Sequence, residues 1–133
     1  MWSSRSSYEM NWESAVSYCN NLTECGYSDW RLPTISELRT LIQNCSGTVT
    51  GGSCGVTDSC LSYSNCWSDS CYCDYYIENN GGYYSKLGDD DNVWLWSSST
   101  SSVNADNAWR VGFDIGGVAD NDKGDGNHVR CVR

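Results

Sequence analysis

The sequence predicts a small α+β fold, on three observations. Two apolar patterns of helical period fill the first third of the chain, the last forty residues alternate like strands, and nine cysteines stand where more aliphatic residues would be expected. Two helices followed by a run of strands with antiparallel hairpin signals are the pattern of an α+β fold. At 133 residues the chain is long enough for one core, so it reads as one domain over 1–133.

The elements follow in order. Trp12, Ala15, Val16 and Cys19 recur at i, i+3, i+4 and i+7, one face of a helix over 11–19, with Asn11 as its N-cap and Trp12 in the core. Thr34-Ile35-Ser36-Glu37 is a capping box after Pro33, and Ile35, Leu38, Leu41 and Ile42 form the buried stripe of a second helix over 34–43. Residues 45–92 have no regular period and hold six of the nine cysteines. They read as a Cys/Tyr-rich insertion with too few aliphatic residues for a core, so disulfides must substitute for burial. Val93-Trp94-Leu95-Trp96 is an apolar run, Trp109, Val111 and Phe113 share a face over 108–113, and Asp114-Ile115-Gly116-Gly117 supplies a turn. His128 to Arg133 alternates again, with Val129 and Cys131 facing one way.

Charge and cysteine usage narrow the function classes. A net charge of −9 repels phosphate backbones and anionic lipid, so nucleic acid and membrane surfaces are excluded as partners, and no apolar run is long enough to insert in a bilayer. No CxxC occurs and His128 is the lone histidine, so zinc is a poor reading and disulfides a good one. Disulfides place the chain in an oxidising compartment, extracellular or at a cell surface. The odd count leaves at least one thiol free, paired between chains, or paired with a residue outside this sequence. The opening Met1-Trp2-Ser3-Ser4-Arg5 lacks the apolar stretch of an export signal, which in a disulfide-rich chain reads as a mature fragment or a domain of a longer secreted protein. Two sequons, Asn21-Leu22-Thr23 and Asn44-Cys45-Ser46, matter only under eukaryotic secretion.

Several motifs carry a family resemblance. Met1-Trp2, Asn11-Trp12-Glu13-Ser14-Ala15-Val16-Ser17-Tyr18-Cys19, Gly26-Tyr27-Ser28-Asp29-Trp30-Arg31-Leu32-Pro33-Thr34, Trp96-Ser97-Ser98-Ser99, Ala108-Trp109-Arg110-Val111-Gly112-Phe113 and the terminal His128-Val129-Arg130-Cys131-Val132-Arg133 resemble the DUF1566 family. That family includes the C-terminal domain of the Legionella collagen-like adhesin and is similar to Fibrobacter major paralogous domains. The resemblance implies a C-type-lectin-like fold, close to the variant of formylglycine-generating enzymes, in which a disulfide ties the first helix to the last strand. Carried to this chain, that pair is Cys19 and Cys131; the pairing of the other seven stays open. The resemblance also implies an adhesion module of a bacterial surface.

No GxSxG, Walker or GxGxxG motif appears, and the reactive cysteine pair of formylglycine-generating enzymes is missing, so the chain reads as non-catalytic with no required cofactor. His128 reads as a strand residue near the surface. Asp120-Asn121-Asp122-Lys123-Gly124-Asp125-Gly126-Asn127 has the composition of a calcium loop, with Asp120, Asp122 and Asp125 as ligands, and Asp89 and Asp91 form a second calcium candidate. The Glu-Pro-Asn, Gln-Pro-Asp and Trp-Asn-Asp triplets of calcium-dependent sugar binding are absent. The ligand surface is expected on Asp120, Asn121, Asp122, Asp125 and Asn127, with Tyr75, Tyr76, Tyr83 and Tyr84 beside them. A neutral glycan or a protein suits this acidic surface; the alternative is a self-assembling subunit of a surface layer or filament, a homo-oligomer built through the odd cysteine and the tyrosines.

Overall fold

The structure, a computed structural model, describes residues 1–74, 81–88 and 91–133. Its order is α1 (Trp12–Asn20), α2 (Ile35–Arg39), α3 (Tyr63–Cys66), a 3-10 turn (Asp69–Cys71), then β1 (Trp94–Thr100), β2 (Asn107–Gly112) and β3 (Gly117–Asp122). The three strands form one antiparallel sheet in the order β1-β2-β3. The expected turn before β3 is present, and Gly116 supplies its left-handed backbone at φ +64.

Asn11 caps α1 by accepting from the Ser14 amide at 2.9 Å, and Ala15 and Cys19 are its buried stripe. Trp12, expected in the core, is half-buried instead. As the first helical residue it lies at the rim, where its indole N–H reaches the Ser97 carbonyl of β1 at 2.9 Å. In α2 the capping box forms as expected. The helix stops at Arg39 rather than 43, because the amides of Leu41 and Ile42 turn back to carbonyls three residues earlier and tighten the chain out of the α-helix. Leu41 and Ile42 stay buried all the same.

Strand alternation sends successive side chains to opposite faces of the sheet, and each face has its own core. On one face Trp96 and Ala108 pack with Met10, Ala15, Cys19, Trp30, Leu32, Val129 and Cys131. On the other, Leu95, Trp109, Val111, Phe113 and Val118 pack with Ile35, Leu38, Val56, Tyr84 and four cysteines of the insertion. The first core is closed by the Cys19–Cys131 disulfide, as the resemblance implies.

One expectation changes here. The segment 128–133 is not a continuous strand, since its pairing partner changes along its length: His128 bridges Leu95, while Val132 bridges both Trp2 and Arg31. The insertion, as expected, is held by disulfides, and it packs against the core. Cys45–Cys73, Cys54–Cys71 and Cys60–Cys66 staple it, and Val56, Cys54 and Cys71 are buried against the sheet. At its centre is Arg39, 3% exposed, which donates to the carbonyls of Thr48 (2.9 Å), Val49 (3.0 Å), Cys54 (3.0 Å) and Val56 (2.5 Å). Burial lowers the pKa of this guanidinium, yet its planar fork satisfies a loop that has no ladder of its own. Trp67 of the insertion donates its indole N–H to Val118 at 2.7 Å, covering the outer edge of β3.

Candidate functional site

The expected calcium loop is half strand. Asp120, Asn121 and Asp122 lie on β3, paired with Trp109, Ala108 and Asn107, so Asn121 points away from the face of its two acidic neighbours. Asp120 accepts from the Asn107 amide at 3.2 Å, and Asp122 accepts from the Gly124 backbone N–H at 2.7 Å. Asp125 instead joins Asn121, whose side-chain amide donates to it at 3.0 Å. Among the described residues no group of three or more His, Cys, Asp or Glu side chains is arranged to hold a metal ion. Asp91 is fully buried and faces Arg130 at 2.8 Å, with the Ser85 hydroxyl on its other side. Asp89, Tyr75 and Tyr76 lie outside the described residues. Tyr83 is exposed, whereas Tyr84 is 4% exposed, bonded to Asp74 and packed in the core.

What the fold does assemble is a chain of amides around a cation. Asn127, itself buried, donates to the Asn121 carbonyl oxygen at 2.9 Å and accepts from Arg110 Nη1 at 3.0 Å. The Arg110 guanidinium stacks on the Trp94 ring at 4.1 Å. The ring lies flat over Gly112, where a Cβ would stand 2.2 Å from it. Among the described residues, Arg110 Nε is buried without a hydrogen-bond partner. Burial lowers the Arg110 pKa against the opposing pull of Asp125, Asp114 and Asp120, and burial raises that of Asp114, which the Trp94 indole contacts.

A second pair flanks this network. Lys123 sits over Trp12 at 4.1 Å, and the Trp12 backbone N–H donates to the Lys123 carbonyl at 3.0 Å. Asn11, Trp12, Glu13, Lys123 and Gly124 line a depression of about 360 Å³. Trp94–Arg110 and Asn127–Asn121–Asp125 form one chain of contacts, and the Lys123–Trp12 pair, two residues along the chain from Asn121, completes a band. Reading the sequence found the amide and carboxylate members and missed both tryptophan–cation pairs. Alternation in β2 puts Arg110 on the face opposite Trp109, but the register that sets it beside Trp94 is not visible in the sequence.

The insertion adds an aromatic column, Tyr63–Trp67–Tyr72, with ring centroids 5.1 and 6.1 Å apart. His128 is half-buried, its Nδ1 3.2 Å from the Ser6 carbonyl, so that nitrogen carries the proton. Cys25 is an exposed free thiol.

The whole chain, residues 1–133, matches the family described as the Lcl C-terminal domain. No curated protein and no solved structure matches it.

Proposed function

Because the chain belongs to the Lcl C-terminal domain family, an adhesin-related group, we propose that it is the non-catalytic recognition head of a bacterial surface adhesin and binds a neutral glycan. Adhesin kinship and four disulfides make it an extracellular domain. We read the fold as a C-type-lectin-like variant with residues 1–133 as one head. The observation that carries the glycan reading is the band that runs from Trp94–Arg110 through Asn121 to the depression at Trp12–Lys123. Trp94 is covered by Arg110 on one face and Gly112 on the other, so contact falls to the half-buried Trp12 ring at the depression and to the exposed Asn121–Asp125 pair, which suit a ligand with apolar faces and many hydroxyls. Both cations already rest on rings, and Arg110 also lies among Asp114, Asp120 and Asp125, so a sulfated or phosphorylated ligand has little to gain there.

A glycan array read with calcium and with chelator tests this. Binding to neutral glycans that weakens in Asn121→Ala and Lys123→Ala is the expected result, and no binding in either condition ends the sugar reading. The exposed Cys25 favours a second reading, a disulfide-linked structural subunit. A monomer by light scattering, with Cys25 free on a non-reducing gel, would exclude it.

A further inference from the structure

A second cleft, on the outer side of α1, shares no residue with that band. Tyr8, Met10, Tyr18 and Leu22 give it apolar walls, and Ser14, Ser17, Asn21 and Thr23 give it polar groups. Its volume of about 430 Å³ is within the range of small-molecule sites, roughly 300–1,000 Å³. No lining residue is charged, in a chain whose net charge is −9. Tyr8 is 61% exposed, so burial does not account for its ring. Among the described residues the side chains of Ser14, Ser17, Asn21 and Thr23 make no hydrogen bond within the protein, which leaves them open to a ligand.

Both walls are fixed. On one side the Ser6 hydroxyl donates to the Tyr8 carbonyl at 2.9 Å, Met10 and Asn127 exchange backbone bonds at 3.0 Å, and the Trp96 indole donates to the Met10 carbonyl at 2.9 Å. On the other side Cys19–Cys131 anchors the helix. Glu24 ties the two sides together, accepting from the Ser4 amide at 2.8 Å and the Ser4 hydroxyl at 2.6 Å. A site that is already rigid spends little of its binding energy on ordering.

We propose that this cleft is a binding site for a small neutral saccharide, formed by residues other than those of the band. The Tyr8 ring would cover one apolar sugar face, and the serine, threonine and asparagine side chains would exchange hydrogen bonds with its hydroxyls. The Tyr18 phenol stays a donor there, because burial, Glu24 and Tyr8 all raise its pKa. An anionic ligand finds no cation in the lining, and Glu24 is already engaged by Ser4.

The test is amide chemical-shift mapping of the oxidised chain, titrated with methyl glucoside, lactose and N-acetylglucosamine to millimolar concentration. Saturable shifts at Tyr8, Ser14, Ser17, Asn21 and Thr23 are expected with at least one sugar. Tyr8→Ala should weaken that binding about tenfold, and Ser17→Arg should abolish it by filling the cleft. Both positions are exposed, and unchanged shifts at Trp96 and Cys131 would verify the fold. Lys123→Ala should leave cleft binding intact, which separates this site from the band. The inference is overturned if no sugar moves these amides, if Tyr8→Ala binds like the parent, or if only choline or an uncharged peptide shifts them.

Discussion

The two faces of the sheet hold together by different means. One face packs Trp96, Ala108, Trp30 and Leu32 under α1 and needs a single disulfide, Cys19–Cys131, to close. The other packs Trp109, Val111 and Phe113 against α2 and an insertion that relies on three disulfides and one buried arginine. The difference teaches where cross-links matter. A periodic helix buries its own stripe and needs only an anchor. An aperiodic loop must have its carbonyls met one at a time, and Arg39 meets four of them.

The largest effect should follow from cutting the anchor. Cys19–Cys131 closes 112 residues, so on the chain-entropy account the double Cys19→Ser, Cys131→Ser variant loses about 4–5 kcal/mol. Urea unfolding followed by tryptophan fluorescence measures this. A loss below that of an insertion bridge would break the comparison. Next comes Arg39→Met. It leaves four carbonyls without their donor and should cost about 3 kcal/mol. Hydrogen exchange should rise first at 48–56 while Ala15 and Cys19 stay protected. Arg39→Lys keeps the charge but loses the planar fork, and should fall between the two.

How far this was legible follows the same division. Thr34-Ile35-Ser36-Glu37 announced its capping box, and Trp109, Val111 and Phe113 announced their shared face, because both are local patterns. The Cys19–Cys131 pair came from family resemblance. The role of Arg39 was not visible, since its partners lie 9 to 17 residues away in a segment with no period. Two faces, rather than one core, were likewise hidden, because periodicity says which residues are buried and not against what. At the candidate site, Asn121, Asp125 and Asn127 were named for their composition and do lie together. Asp120 and Asp122 were expected in a loop, and β3 carries them instead, for the hairpin continues past Ala119. Arg110 was overlooked because only the strand register sets it on Trp94.

Within the insertion the bridges should rank by loop length. Cys60–Cys66 closes 6 residues and Cys54–Cys71 closes 17. Removing the shorter one should cost about 2 kcal/mol, and removing the longer one about 3 kcal/mol. Equal losses would mean that Arg39, rather than the bridges, sets the order in which the insertion opens. Non-reducing peptide mapping during stepwise reduction gives the same ranking without mutation, and Cys19–Cys131, buried under α1, should be the last bridge to open.

The smallest effect concerns α2, which carries Arg39 and so connects the periodic part of the chain to the insertion. The Glu37 carboxylate takes both Arg31 nitrogens, at 2.6 and 2.7 Å, and the Thr34 amide at 2.9 Å. The Arg31 guanidinium, first among these contacts, holds its pKa down to about 2 against an ordinary 4.5. A depressed carboxylate pKa stabilises the fold above the unfolded value, so this contribution is present above about pH 4.5 and is lost as the pH falls toward 2. Arg31 is 52% exposed and Glu37 32%, so solvent screening limits the gain to about 1 kcal/mol or less. Glu37→Gln should lower stability by that amount at neutral pH and match the parent at the acid end of the window. Salt should narrow the gap further. Since Ser36 and Asp58 bond the start of α2 to the insertion, acid should raise exchange at Asp58 before it does so at Ala15. If both sites respond together, the two faces are coupled through α2 and do not open separately.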